Sequence, residues 1–278
     1  MDLLDHPLKV APTAALVLSF ARSLYQGGPT RTYYEKLDLR ESDALARSMD
    51  PATGGVVLVR KRFIRYQLEQ FLNEDEPVQI CIPGAGLDPL SLHLSEYHGS
   101  AIHSIYELDA AHLQAKAHHY QGLLPDEPPV HFIQADITDT LHLEHRLRDA
   151  GYSSGRPTII VFEGIVHYLS EENFIDLMQT FSTPNKTNIV LMDYLLPEYA
   201  IPHSALPLFH STKQQVESMT GKAIQTYSRE QMFSAIASLH GDVVGVDSMK
   251  SAEFKLNGRN ELFYEEGEGL IEMMAFYL

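Results

Sequence analysis

From residue 78 onward, short runs rich in β-branched residues alternate with stretches whose apolar residues fall at helical spacing. A strand followed by a crossover helix returns the chain to the same end of the sheet, so the alternation predicts a parallel sheet with helices on its faces. Strands are expected at 78–82 (VQICI), 101–106 (AIHSIY), 130–134 (VHFIQ), 158–162 (TIIVF) and 188–194 (NIVLMDY). Near the end, 242–249 (DVVGVDSM) and 270–278 (LIEMMAFYL) read as strands with no helix between them, which predicts an antiparallel hairpin. The first 77 residues show no strand series. Segments 13–25 and 62–72 instead carry apolar residues at helical spacing and suggest a helical cap. Three prolines in 195–209 interrupt the rhythm after the fifth strand, where the chain could form a lid over the strand ends.

Composition narrows the partners. With 278 residues and 44% hydrophobic content, the chain can bury one large core, and a single domain is expected. No run approaches the roughly 20 apolar residues of a membrane span, and MDLLDHPLK lacks a secretion signal's basic-then-apolar pattern. A soluble, cytoplasmic protein with no membrane partner is expected. The net charge of −16 argues against nucleic acid as a partner, because such binding depends on many Lys and Arg contacts. The densest basic run is RKRFIR, residues 60–65. The single cysteine, Cys81, lies in an expected buried strand and reads as packing.

Gly84 and Gly86 stand at the mouth of the first strand, where an open parallel sheet binds ligands. Glycine there permits positive φ and lets a ligand approach the main chain. Asp88 and Pro89 follow as a helix N-cap and first helical residue. A dinucleotide fingerprint requires a third small residue, and that slot holds Pro89. A nicotinamide-dependent oxidoreductase is therefore the weaker enzyme reading. At the end of the second strand Glu107 and Asp109 each offer a carboxylate to a ribose diol.

Taken in order, IPGAGLD, YELD, QADI and EGIVHYL resemble the leucine carboxyl methyltransferase-like group of class I S-adenosylmethionine-dependent O-methyltransferases. The resemblance implies an α/β, Rossmann-like, mostly parallel seven-stranded sheet with an antiparallel C-terminal hairpin and an N-terminal helical cap. With the patterning above, residues 1–278 are expected to divide into a cap (1–77), a cofactor-binding core (78–194), a lid insertion (195–225) and a C-terminal helix and hairpin (226–278). The resemblance also implies S-adenosyl-L-methionine as cofactor. Gly84, with Ala85 and Gly86 of the same turn, would face the methionine portion and Asp109 the ribose. Asp136 and Ile137 would flank the adenine, and Glu163 the methionine amino group. The family often carries a lysine in the first cap helix, where this chain has Leu18, with Arg22 one turn later. DPLSLHL likewise departs from the family's helix after the glycines, which weakens any claim to a protein C-terminal leucine as substrate.

The family draws an arginine for the cofactor carboxylate from the helix before the first strand. At about 100° per residue, Arg60 shares the apolar face of Ile64, Leu68 and Phe71, whereas Arg62 points away. An arginine on an apolar face must find an anion or snorkel outward, which favours Arg60. Lys61, Arg62 and Arg65 are expected to be solvated or paired with the acidic body. Methyl transfer from a sulfonium needs alignment rather than covalent catalysis. A carboxylate acceptor is already ionised and needs no base, whereas a hydroxyl acceptor would call on His167. Tyr168 could pack or donate a hydrogen bond. The 14 histidines do not form a convincing metal motif, so no metal is expected. A small-molecule or peptide acceptor methylated on a carboxylate is the first reading. A cofactor-binding scaffold without methyl transfer is the alternative. Oligomeric state is not legible.

Overall fold

The computed structural model describes residues 8–125 and 127–278. Most of the segment read above for a secretion signal, residues 1–7, lies outside them. Seven strands form one sheet: β1 (Val78–Pro83), β2 (Ile102–Asp109), β3 (Val130–Gln134), β4 (Thr158–Phe162), β5 (Ile189–Leu195), β6 (Asp242–Ser248) and β7 (Ile271–Tyr277). Their spatial order is β3-β2-β1-β4-β5-β7-β6, with β7 antiparallel to both neighbours. Every residue of β4 and β5 is buried, which is why both read as continuous apolar runs rather than alternating ones. Cys81 packs at the centre of β1 and has no disulfide partner. Because β1 pairs with β2 on one side and β4 on the other, the chain leaves it in opposite directions, opening a crevice at the strand ends.

Two features of the sheet differ from the sequence expectation. Strand β2 runs on to Asp109, held by β3 up to the Asp109 and Gln134 pair, so Glu107 and Asp109 belong to the strand itself. The terminal strands do pair antiparallel, but a helix, α11 (Met249–Asn257), stands between them. Ser248 caps it by accepting from the Ser251 amide, and Gly258 ends it at φ 72°, where only glycine is unstrained. The helix seats Met249 and Ala252 in the core, and buried Glu253 accepts amides of residues 261–263.

The cap comprises α1 (Pro12–Ala21), α2 (Gly28–Tyr34), α3 (Arg40–Ser48) and α4 (Pro51–Phe71), with a two-residue parallel pair between Leu8–Lys9 and Leu37–Asp38. It has its own small core, in which Leu18, Tyr33 and Tyr34 meet Leu87, Leu92 and Tyr120. Two hydroxyls tie the cap to the glycine turn: Tyr33 donates to the Leu87 carbonyl and Tyr25 to Asp88 Oδ1, each at 3.1 Å. Asp50 caps α4 by accepting from the Ala52 amide at 2.9 Å.

Helix α5 (Leu90–His98) starts one residue later than expected, with Pro89 in the cap position. Asp88 still accepts from the Leu90 amide at 3.0 Å. Helices α6 (Leu113–Tyr120), α7 (Thr140–Asp149) and α8 (Glu171–Gln179) complete the crossovers. After β5, two short turns lead into α9 (Leu206–Thr220), whose first turn uses Pro207, the third proline of the expected irregular stretch. Helix α10 (Arg229–Ser238) precedes β6.

Candidate active site

A cavity of about 370 Å³ lies at the ends of β1, β2, β4 and β5, closed over by α1, α4 and α9. Gly84, Ala85 and Gly86 form part of its wall. Gly84 has φ 69°, and a Cβ there would collide with the Ile165 side chain. Gly86, at φ 49°, donates its amide to Asp109 Oδ2 at 2.9 Å, while Asp109 Oδ1 accepts from the Ala111 amide at 3.0 Å. Each Asp109 oxygen keeps a second lone pair for a ligand hydroxyl.

Glu107 behaves differently although it is two residues away on the same strand face. Its carboxylate is fully buried, lies 2.6 Å from Lys116 Nζ and accepts from the Ser91 hydroxyl. Burial pushes its pKa up, and Lys116 opposes that shift. Lys116 also donates to the Asp88 carbonyl at 2.6 Å. Both candidate ribose ligands line the cavity, Glu107 already paired with Lys116 and bracing the glycine turn, Asp109 with only backbone amides as partners.

The charged centre comes from α4 and the strand ends. Arg60 is 9% exposed, and its guanidinium lies 3.1 Å from Glu163 Oε1 and 3.6 Å from Asp193 Oδ2. Lys61 is also buried, at 2.6 Å from Asp88 Oδ2 and 2.9 Å from Glu163 Oε1. Burial works against the charge on Lys61, but Asp88 and Glu163 outweigh it and raise its pKa. Asp193 donates nothing and accepts the Gly164 amide at 2.6 Å through Oδ1, whereas its buried Oδ2 has no hydrogen-bond partner among the described residues. Its pKa is raised by burial, with Arg60 opposing and Glu163 adding to the shift. Two cations thus face three carboxylates.

Lys61, Asp88 and Asp193 are the site residues the sequence reading missed. Lys61 was expected to be solvated or paired with the acidic body; it is paired, and its partners are the site carboxylates Asp88 and Glu163. Arg22, the alternative to the family's cap lysine, is exposed and paired with Asp43 at 2.6 Å, and Leu18 lines the cavity. The second cation of the site therefore comes from α4 rather than α1. Arg62 is directed outward to Asn257, and Arg65 stacks over Tyr25.

His167 and Tyr168 border the cavity from the turn after β4. Burial, reinforced by nearby Arg60, pushes the His167 pKa down to about 3. Burial likewise raises that of Tyr168, so its hydroxyl stays protonated at neutral pH. Asp136 is exposed, with Oδ1 accepting from the amide and hydroxyl of Thr138 at 2.9 and 2.8 Å. Asp136 and Ile137 follow the end of β3, beside the Asp109 end of β2, and are not among the described residues lining this cavity.

Residues 11–182 match the family model for leucine carboxyl methyltransferase. The chain belongs to the leucine carboxyl methyltransferase family. Membership brings methyltransferase activity with S-adenosyl-L-methionine as cofactor and replaces the oxidoreductase reading. The fold agrees. A methyltransferase candidate from Thermobifida fusca superposes with a TM-score of 0.67 at 15% identity, over 99% of this chain and 96% of that one. A DUF574 family protein from Streptomyces avermitilis gives 0.63 at 14%, over 95% and 96%. An S-adenosylmethionine-dependent methyltransferase from Mesorhizobium loti gives 0.50 at 14%, over 77% and 96%. No curated protein sequence matches the chain.

The residues present fit this cofactor. The glycine turn borders the cavity with open space where a Gly86 Cβ would stand, Asp109 faces the cavity, and cations and carboxylates are interleaved where a zwitterionic amino acid would lie. Among the described residues no helix is long and apolar enough to cross a membrane.

Proposed function

We propose that this family member methylates a carboxylate oxygen, on a small molecule or a peptide C-terminus. The observation that carries the reading is the burial of His167 beside the Arg60 guanidinium, which pushes its pKa down to about 3. A hydroxyl acceptor needs a base to take its proton, and an imidazole this weakly basic provides little driving force. Tyr168 and Lys61 hold their protons at neutral pH for the reasons given above. A carboxylate acceptor needs no base, since it is ionised at neutral pH.

Bound S-adenosylmethionine supplies a methyl on a sulfonium, and its transfer forms one C–O bond, breaks one C–S bond and leaves the electron pair on sulfur. The chain's own residues bind and orient. Arg60 would take the cofactor's carboxylate, Glu163 its ammonium, and Asp109 its ribose hydroxyls. Gly84, Ala85 and Gly86 would admit it close to the main chain. The excess of carboxylates over cations complements a donor whose sulfonium adds one positive charge. The apolar remainder of the cavity excludes water from the reacting atoms. We place the protein in the cytoplasm and expect its acidic surface to repel nucleic acid.

The test is transfer of methyl-labelled S-adenosylmethionine to a panel of carboxylic acids and alcohols, followed by alkaline treatment. Methyl esters release volatile labelled methanol, and ethers do not. Label appearing only in base-stable products would overturn the carboxyl reading.

A further inference from the structure

An α-ammonium carries three N–H donors, so the carboxylate of Glu163 alone does not complete a site for it. Glu163 is also shared already by both cations of the cluster: Arg60 Nε at 3.1 Å and Lys61 Nζ at 2.9 Å meet its Oε1. Asp193 is less engaged. Its side chain lines the cavity from β5 and is 1% exposed. The Gly164 amide fixes Oδ1 at 2.6 Å, while Oδ2 is buried with no hydrogen-bond partner among the described residues. Arg60 Nη1, at 3.6 Å, lends Oδ2 its charge but lies beyond hydrogen-bond reach. A Cβ on Gly164 would stand only 3.3 Å from the same nitrogen, so the glycine that holds Asp193 also packs against the guanidinium.

A buried carboxylate oxygen without a donor is costly, and a ligand that brings a donor removes the cost. We infer that Asp193 is a cofactor-binding residue, its Oδ2 accepting a hydrogen bond from the α-ammonium of S-adenosylmethionine beside Glu163. The inference rests on the reading that the charged centre receives the amino-acid end of the cofactor, and it divides that end between separate residues. Arg60 serves the carboxylate, and the acids that follow β4 and stand in β5 serve the ammonium. Burial disfavours the charge on Asp193, and Arg60 opposes this only in part. An ammonium at Oδ2 supplies the missing counter-charge.

The test is calorimetric titration of the full chain with S-adenosylhomocysteine and two analogues, one with hydrogen in place of the α-ammonium and one with hydrogen in place of the α-carboxylate. Asp193→Asn keeps the Oδ1 acceptor for the Gly164 amide and removes the charge. It should raise the Kd of the two ammonium-bearing ligands roughly ten- to hundred-fold, the range for a hydrogen bond to a charged group, and leave the deaminated analogue unaffected. Retained binding of that analogue also shows that the variant folds. Arg60→Ala should give the opposite pattern, weakening the carboxylate-bearing ligands and sparing the decarboxylated one. An Asp193 that merely holds Arg60 in place would weaken the deaminated analogue as much as S-adenosylhomocysteine, and that result overturns the inference, as does undiminished binding of all three. Should Asp193→Asn not fold, a crystal structure of the wild type with S-adenosylhomocysteine decides. The ammonium nitrogen is expected about 3 Å from Asp193 Oδ2, and an ammonium met by Glu163 without Asp193 overturns the inference. The two claims separate. If Asp193→Asn matches wild type while Arg60→Ala still weakens the carboxylate-bearing ligands, the inference alone fails. If wild type binds S-adenosylhomocysteine no better than 5′-methylthioadenosine, the reading of the charged centre fails and takes the inference with it.

Discussion

The ammonium of Lys61 lies 2.6 Å from Asp88 Oδ2, joining α4 to the glycine turn, and the same nitrogen reaches Glu163 at the end of β4 at 2.9 Å. Asp88 in turn takes the Tyr25 hydroxyl and the Leu90 amide, and its carbonyl takes Lys116. The glycine turn is therefore held from the cap, from α4 and from α6 at once.

Removing Lys61 leaves two largely buried carboxylates facing each other without their shared cation. Lys61→Met should destabilise the fold by roughly 3 kcal/mol, the lower range for breaking a buried ion pair from one side. Urea unfolding measures this, and a loss below about 1 kcal/mol would show that the pair is solvent-screened.

Gly84 combines a left-handed φ with a direct obstruction by Ile165. Gly84→Ala should lose about 1–2 kcal/mol from backbone strain, with a further loss from the steric overlap. Adding Ile165→Ala should relieve the overlap but not the backbone strain. Full recovery in the double variant would mean that the turn can change conformation.

Low pH should destabilise the protein through His167. Its folded pKa of about 3 lies below the ordinary histidine value, so below about 6.5 the unfolded chain takes up a proton that the folded chain refuses. Stability then falls as pH drops from about 6.5 towards 3. His93, also pushed down to about 3 chiefly by burial, adds to the same trend. Relative to His167→Asn, the wild type should lose roughly 1–2 kcal/mol more between pH 6.5 and 5. Parallel pH profiles for the two proteins would contradict a buried neutral imidazole.

The sequence disclosed some parts of this architecture more readily than others. Strand periodicity and the glycine turn identified the sheet because both follow from local chemistry. Arg60 was legible because the apolar face around Ile64 and Leu68 pointed it inward. Lys61 was not. A single-faced helix would expose it, but α4 is packed on several sides, with Gly54 against Phe20, Gly55 against Leu262, and Arg60, Lys61, Phe63 and Ile64 all buried. Asp193 was hidden in an apolar strand run, and only its tertiary pairing with Arg60 marks it. Glu107 and Asp109 look equivalent in sequence, yet a lysine from α6 takes one and leaves the other. The helix between β6 and β7 was signalled by Ser248 and Gly258, but its nine residues are too few for a clear period.

Glu107 and Asp109 should separate in experiment as they do in space. Asp109→Asn should weaken binding of S-adenosylhomocysteine by roughly ten-fold, as expected for a charged hydrogen bond to ligand, and cost only about 1 kcal/mol of stability, because one of the Gly86 and Ala111 amides loses its acceptor. Glu107→Gln should chiefly lower stability, since it leaves buried Lys116 without its counter-charge. Calorimetric titration and urea unfolding of both variants distinguish the roles, and interchanged results would reverse the assignment.

The central claim is that the Arg60, Lys61, Glu163 and Asp193 cluster receives the amino-acid end of the cofactor. The most direct measurement compares the Kd of S-adenosylhomocysteine with that of 5′-methylthioadenosine, which lacks that end, in wild type and Arg60→Ala. The account predicts that wild type prefers S-adenosylhomocysteine and that Arg60→Ala forfeits this preference, weakening S-adenosylhomocysteine by roughly ten- to hundred-fold while methylthioadenosine is little affected. Equal weakening of both ligands, or no change in either, would contradict it.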